Sequence, residues 1–222
     1  MSESSAVKKD TSPNWRLKVW FPDLSPFVHD QLKKYFSELM RFNKTINLIS
    51  NKSEAYADAI HFADSILACK AVHKNINKDV PLYDLGSGNG FPGLIYAILY
   101  PEQSVVLVDS DQRKCEFLKH TINAMELKNA TVKNFKIERM ALDSIEQAIC
   151  RGFAPLPKAL LTLRKIVKGG GTIYHLKSEE WAIEVSQIPI QLCSIWQPKL
   201  VADYLLPVGD KIKMYIVRTD KA

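Results

Sequence analysis

Cysteine is scarce: four in 222 residues, Cys69, Cys115, Cys150 and Cys193, with no C-x-x-C pair. That spacing excludes a disulfide framework and a thiolate zinc site, and it fits reduced thiols in a cytoplasmic protein. No run of 18 apolar residues occurs, which excludes a membrane-spanning segment. The first ten residues are polar and lack the apolar stretch of a secretory signal. There is no internal repeat and no coiled-coil pattern. What is present is 46% hydrophobic residues, enough for one well-packed core and too little for two ordinary domains with linkers.

Charge is unevenly spread. Residues 128–168 carry nine basic side chains against three acidic ones, an excess equal to the net +6 of the whole chain. Such a local excess suits a polyanion such as nucleic acid, or is simply a solvated face.

Residues 1–24 read as a polar tail with scattered aromatics (Trp15, Trp20, Phe21). Ser25-Pro26 then supplies a cap and a first-turn proline. Val28, Leu32, Tyr35, Phe36 and Leu39 recur at helical spacing, predicting a helix that ends near Phe42-Asn43. A second helix is predicted over Glu54–His73, burying Ile60, Ala63, Leu67 and Ala71. From Val80 the rhythm changes. Strands are predicted at Leu82–Leu85, Val105–Val108, Ala130–Lys133, Ala148–Cys150 and Thr172–Leu176. Helices are predicted between them at Pro92–Leu99, Arg113–Met125, Ile137–Ile145 and Pro157–Val167. This alternation predicts a mostly parallel sheet with helices on both faces. Ser194–Leu206, the turn Pro207-Val208-Gly209-Asp210 and Lys213–Arg218 predict a closing antiparallel hairpin. The expected organisation is one domain over 25–222, with a helical cap at 25–78 and a Rossmann-like core at 79–222.

Asp84-Leu85-Gly86-Ser87-Gly88-Asn89-Gly90-Phe91-Pro92-Gly93 follows the first of these strands and opens a helix. Glycines there allow a sharp bend and close approach to a ligand at the carboxyl ends of the strands. Gly88 to Gly93 formally satisfies the dinucleotide pattern G-x-G-x-x-G, a weak signal. Two carboxylates argue for S-adenosylmethionine. Asp84 suits the cationic amino end of its methionine moiety and would repel a pyrophosphate. Asp109, ending the next strand, suits the two ribose hydroxyls, as it would in an NAD site. A terminal antiparallel hairpin is typical of class I methyltransferases. Asp84, Gly86, Gly88, Gly90 and Asp109 are therefore the candidate cofactor residues. An NAD-binding redox domain is the contrary reading.

The G-S-G-x-G-F-P-G form resembles the signature of the RsmG (GidB) family, the 16S rRNA guanine-N7 methyltransferases. Phe42-Asn43-Lys44-Thr45-Ile46-Asn47-Leu48 is similar to the family's N-x-x-x-N-L segment, and His61-Phe62-Ala63-Asp64-Ser65 to its H-x-x-D-S helix. Val108-Asp109-Ser110, Arg113-Lys114, Ile137-Glu138, Arg151 and Leu176-Lys177 match further family positions in order. The resemblance spans about Phe36 to Arg218. It implies methyl transfer from S-adenosylmethionine to N7 of a guanine in the 530 loop of 16S rRNA. The implied partner is that rRNA or the small ribosomal subunit. The expected enzyme is a cytoplasmic monomer with no metal. A methyltransferase of this fold acting on a small molecule, a protein or another RNA base is the alternative. By the resemblance, Gly86 and Phe91 touch the cofactor, Ile137 and Glu138 flank the adenine, and Arg151 lines the pocket. Gly152 departs from the family's usual alanine.

The residues suit such chemistry. Guanine N7 has a free lone pair, so alignment of an in-line displacement supplies most of the catalysis. No Ser-His-Asp order, carboxylate pair or metal cluster stands out. The Asn/Asp-Pro-Pro-aromatic motif of amino-methylating enzymes is replaced by Arg151-Gly152-Phe153-Ala154-Pro155. Arg151 is the candidate catalytic residue, holding cofactor or guanine in line. Cys150 fits a covalent mechanism or a buried strand thiol. His61 and Asp64 fit a base dyad or an interhelix contact. Asn43 and Asn47 fit RNA contacts or loop backbone, and Phe153 a stacked base or the core. The basic stretch 128–168, Lys165 and Lys168 included, is expected to hold flanking phosphates.

Overall fold

The computed structural model describes residues 14–208 and 211–222. Most of the expected polar tail and the Gly209-Asp210 tip of the hairpin turn lie outside these residues. From residue 14 on, the tail reading is corrected. Leu17 and Phe21 are buried, flanking and beginning the short helix α1 (Leu17–Trp20). The Trp15 ring lies 4.8 Å from Phe36 and 5.1 Å from Phe62. The Arg16 guanidinium binds the fully buried Asp58 carboxylate through two contacts of 2.9 Å. Four residues are too few for a helical period to show in sequence, so these anchors read as isolated aromatics.

Helix α2 (Pro26–Asn43) starts as expected. The Val28 amide donates to Ser25 Oγ, Pro26 takes the first helical position, and Leu32, Tyr35, Phe36 and Leu39 are buried. The long second helix is broken. Its parts are α3 (Asn51–Glu54), a π-helical stretch over Asp58–Ala63 and α4 (Asp64–His73). A π turn adds a residue and rotates the face that follows. Of the four residues expected inside, only Ala63 is buried; Ile66, Ala68, Cys69 and Val72 take the core positions of α4.

The seven-stranded sheet is built from β1 (Leu82–Leu85), β2 (Val105–Asp109), β3 (Ala130–Asn134), β4 (Ile145–Arg151), β5 (Val167–Lys177), β6 (Trp196–Leu205) and β7 (Lys213–Lys221). The order is β3-β2-β1-β4-β5-β7-β6. The first five strands run parallel; β7 is antiparallel to β5 and to β6. The strand order reverses between β1 and β4, so a ligand crevice opens above Leu85 and Arg151. One face carries α2, α4, α5 (Gly93–Leu99) and α6 (Gln112–Ala124), with Phe62, Leu94, Phe117 and Leu107 in its core. The other carries α7 (Leu156–Leu163) and the short helices α8 (Trp181–Ser186) and α9 (Ile190–Cys193), over Leu160, Leu163, Ile173 and Trp196.

Two expected helices are corrected. Ile137–Ile145 is a single 3-10 turn (Ile137–Arg139) followed by loop, and Ile145 already opens β4. Asp143 sits at φ 50°, a left-handed backbone that no helix continues through. The helix Pro157–Val167 ends at Leu163, and Val167 starts β5. Among the described residues no helix is long and apolar enough to cross a membrane.

If residues 14–24 belong to the core, Leu17→Ala should cost about 2–5 kcal/mol, as for other buried leucines. Urea unfolding measures this through the midpoint at constant slope. A loss well below about 1 kcal/mol would mean that the segment merely rests on the surface.

Candidate active site

β1 feeds the glycine turn, and β2 holds it from the side. The amides of Gly86 and Ser87 donate to the Val108 carbonyl at 2.9 and 3.0 Å. Ser87 Oγ donates to the Asp84 carbonyl and accepts from the Val108 amide. At Gly90, φ is +94°, and a Cβ would lie 2.6 Å from the Tyr35 hydroxyl and 2.7 Å from Leu94. Only glycine fits there. Tyr35 donates to the Asn89 carbonyl at 2.5 Å, and the Asn89 amide group donates to the Leu48 carbonyl at 2.9 Å, so the helical cap grips the turn directly.

Asp109 closes the other side. Its Oδ2 accepts the Gly88 amide at 2.7 Å and its Oδ1 the Asp111 amide at 2.8 Å. Each oxygen retains a second lone pair. Beside it opens a cleft of about 160 Å³ lined by Gly86, Asp109, Ser110, Ile137, Glu138 and Phe153, with Phe135 and Lys136. The structure thus brings together Gly86, Asp109, Ile137 and Glu138. It adds Phe153, which sequence left between two roles, and Ser110, Phe135 and Lys136, loop residues just past the ends of β2 and β3 that it missed as lining residues because no local pattern marks them.

Asp84 lies beneath the turn, with no exposed surface. Its Oδ2 accepts the Gly93 amide at 3.0 Å, whereas buried Oδ1 has no partner. Burial pushes this carboxyl up to about 7; the Gly93 amide, Ser87 and the Arg151 charge oppose the shift.

Arg151 turns away from the cleft. Its guanidinium donates to Asp64 Oδ2 at 3.1 Å, to the Ile60 carbonyl at 3.2 Å and to His61 Nδ1 at 3.2 Å, and lies 5.1 Å above the Phe91 ring. His61 stacks on the same ring at 5.4 Å. Phe91, 2% exposed, is packed among Tyr35, His61 and Phe62 rather than facing the cleft. The Arg151 hydrogen bond is what the π stretch makes available: the Ile60 carbonyl and the His61 ring both belong to it. Burial and the neighbouring guanidinium push His61 down to about 3, so the imidazole is neutral.

Other readings are decided by geometry. Asn43 serves the loop backbone: its Oδ1 accepts the Leu48 and Ile49 amides, both at 2.9 Å. Asn47 is exposed and lines a polar groove with Thr45, Arg113 and Lys114. Cys150 is a buried strand thiol, 3.2 Å from His175 Nδ1, and burial pushes it up to about 12. The basic stretch does not form one surface. Lys165 and Lys168 sit at the amino end of β5, opposite the cleft, and Lys168 pairs with Glu146. Of that stretch, Lys136 borders the cleft and Arg139 is exposed on the adjoining 3-10 turn. Gly152 stands at φ +66° with open space around it.

The fold and the braced glycine turn define a class I methyltransferase. Solved structures agree on the fold: the YcgJ protein of Bacillus subtilis (TM-score 0.55, 13% identity, 72% of this chain and 99% of that one) and a predicted O-methyltransferase of Agrobacterium tumefaciens (TM-score 0.55, 17% identity, 72% and 81%). The family model described as rRNA small subunit methyltransferase G (GidB) matches residues 28–200. Ribosomal RNA small subunit methyltransferase G 3 of Bdellovibrio bacteriovorus is 53% identical over 207 residues, 93% of each chain. Ribosomal RNA small subunit methyltransferase G of Paracoccus denitrificans is 35% identical over 160 residues, 71% of this chain and 80% of that one. This chain belongs to the rRNA small subunit methyltransferase G family, and S-adenosylmethionine is its methyl donor.

Asp84 yields a test of this buried site. Its folded pKa, about 7, lies above the usual carboxylate value, so the folded state holds the proton more tightly. The stabilisation is complete below the unfolded value near 3.8 and is lost as pH rises toward 7. Denaturant midpoints across pH 4–7 should therefore fall less in Asp84→Asn than in the wild type. Parallel curves would show that the carboxyl is not desolvated.

Proposed function

We propose that this protein transfers the methyl group of S-adenosylmethionine to N7 of a guanine in the 530 loop of 16S rRNA. The observation that carries this reading is that the side chains beneath the crevice offer no free base, while the two carboxylates lining it, Asp109 and Glu138, are taken in this reading by the cofactor's ribose and adenine. His61 is neutral, with Nδ1 occupied by Arg151; Asp64 is held by Arg151 and Tyr204; Asp84 has no exposed surface. Guanine N7 suits such a site because its lone pair is free in the neutral base. The 530 loop itself rests on the family resemblance.

The residues fit the cofactor. The spare lone pairs of Asp109 suit the ribose hydroxyls, and the cleft edge at Ile137 and Glu138 suits the adenine. The unpartnered Asp84 Oδ1 has no exposed surface, so it suits the ammonium group through the field it sets under the turn or through a water rather than by direct contact. Gly86, Gly88 and Gly90 let the turn's backbone approach the methionine moiety, and Phe91 supports the turn from below. Bound there, the cofactor supplies an electrophilic methyl on a sulfonium centre. Arg151 acts as a positioning residue, through Phe91 and His61. Phe153, at the cleft mouth, offers a face for a splayed base, which RNA must present because its major groove is too narrow to enter. Lys136, Arg139, Arg113 and Lys114 are exposed or groove-lining cations near this end of the sheet and suit flanking phosphates. The reading takes the enzyme as a monomer acting in the cytoplasm on rRNA or the small subunit.

The test is transfer of labelled methyl to 16S rRNA with the product mapped, and a 7-deazaguanine control at the target. Methylation should be lost with 7-deazaguanine, and single-turnover rates should stay level from pH 6 to 8. A limb near pH 6.5 that His61→Ala abolishes would contradict the reading and point to an exocyclic amine instead.

A further inference from the structure

The outermost strand of the sheet reaches back into the network beneath the cofactor turn. Tyr204 lies on β6, separated from β1 by β7, β5 and β4 in the sheet order. Its side chain nevertheless packs against the core formed by the helical cap and β1. Its hydroxyl donates to Asp64 Oδ1 at 2.7 Å. Asp64 Oδ2 accepts from Arg151 at 3.1 Å, so one buried carboxylate has each oxygen committed, one to the hairpin and one to the end of β4.

The consequences run on from Arg151. Because its guanidinium donates to His61 Nδ1, that nitrogen must be the acceptor. The neutral imidazole therefore carries its proton on Nε2. His61 Nε2 is buried and has no partner, so the ring presents an unused N–H donor while stacked on Phe91. Arg151 covers that same Phe91 ring from 5.1 Å. Tyr204, Asp64, Arg151, His61 and Phe91 form a continuous contact chain from the hairpin to the glycine turn.

We propose that Tyr204 is a positioning residue for methyl transfer: through Asp64 it fixes Arg151, and with it the Phe91 ring and the His61 tautomer at the cofactor turn. Asp64 has a reason to need a second donor. A carboxylate with no more than 2% exposure is costly unless its oxygens are hydrogen-bonded, and a single guanidinium contact leaves one oxygen bare. The phenol suits the task, since burial beside Asp64 raises its pKa and it keeps its proton. Without that hydroxyl, Asp64 can rotate toward water and release Arg151, and both ring contacts at the turn loosen. The inference rests on the reading above only in taking the Phe91 turn as the cofactor turn.

Tyr204→Phe removes one oxygen and keeps the ring in the core. Three readouts apply to it. S-adenosylhomocysteine affinity, by calorimetry, should fall on the order of tenfold, the size expected for a hydrogen bond to a charged group. Single-turnover methyl transfer should fall with it, while the rRNA KM stays within twofold. The ¹⁵N shifts of the His61 ring at pH 7 should show an Nε2-protonated tautomer in the wild type and a mixture in the variant. In an Asp64→Asn background, Tyr204→Phe should add little further loss. Unchanged affinity together with an unchanged His61 tautomer overturns the proposal, as does full additivity with Asp64→Asn. These outcomes separate from a failure of the functional reading. A wild type that binds the cofactor analogue but leaves guanine N7 unmethylated removes the substrate assignment, and the ring shifts and affinities still decide the role of Tyr204.

Discussion

A buried ion pair joins the two halves of this protein. Arg151, the last residue of β4, meets Asp64, the first residue of α4, with side chains 16% and 2% exposed. Asp64 has almost no water to fall back on, and removing one partner of a buried pair costs about 3–5 kcal/mol. The N-terminal helices and the sheet therefore share one electrostatic centre. The glycine turn is wedged into it. Phe91 lies under the guanidinium, Asn89 is held by Tyr35 and Leu48, and Gly88 by Asp109. A turn held from the cap, from β2 and from β4 has little freedom to lose when it receives a ligand, the condition for an enzyme that works by alignment.

How much of this was legible in the sequence depended on the range of the interaction. The glycine turn, Asp109 and the order of strands announce themselves through local pattern: glycines at fixed offsets, a carboxylate at a strand end, short apolar runs. The carboxyl-end cleft follows from those alone. The direction of Arg151 was not legible, because it depends on partners some ninety residues earlier in the chain. The π stretch was invisible for the opposite reason. Ile60, Ala63, Leu67 and Ala71 satisfy a helical period, and the inserted residue that rotates the face leaves no mark in composition. The segment 137–145 misled because Ile137 and Ile145 fall in phase on a helix. In fact one tops a 3-10 turn and the other opens a strand, with Asp143 in a left-handed conformation between them.

Charge was a coarser guide still. The basic excess over 128–168 is real in the sequence but is divided by the fold between opposite ends of the sheet. Arg151 is consumed inside the protein, and Lys168 is paired at the far end. Few cations of that stretch remain near the cleft: Lys136 borders it and Arg139 is exposed on the adjoining turn. The buried histidine follows the same logic. A residue type that suggests acid–base chemistry is here held neutral by burial and by a neighbouring positive charge, and it stacks on Phe91.

The central claim is that Arg151 acts through the turn it braces rather than on the reacting atoms. Amide hydrogen exchange of the wild type and Arg151→Met, both without ligand, tests it most directly. The account predicts faster exchange in Arg151→Met at Gly88 to Gly93 and across Asp58–Ala63, with β2, β5 and α6 unchanged. Exchange at the turn equal to that of the wild type would contradict it.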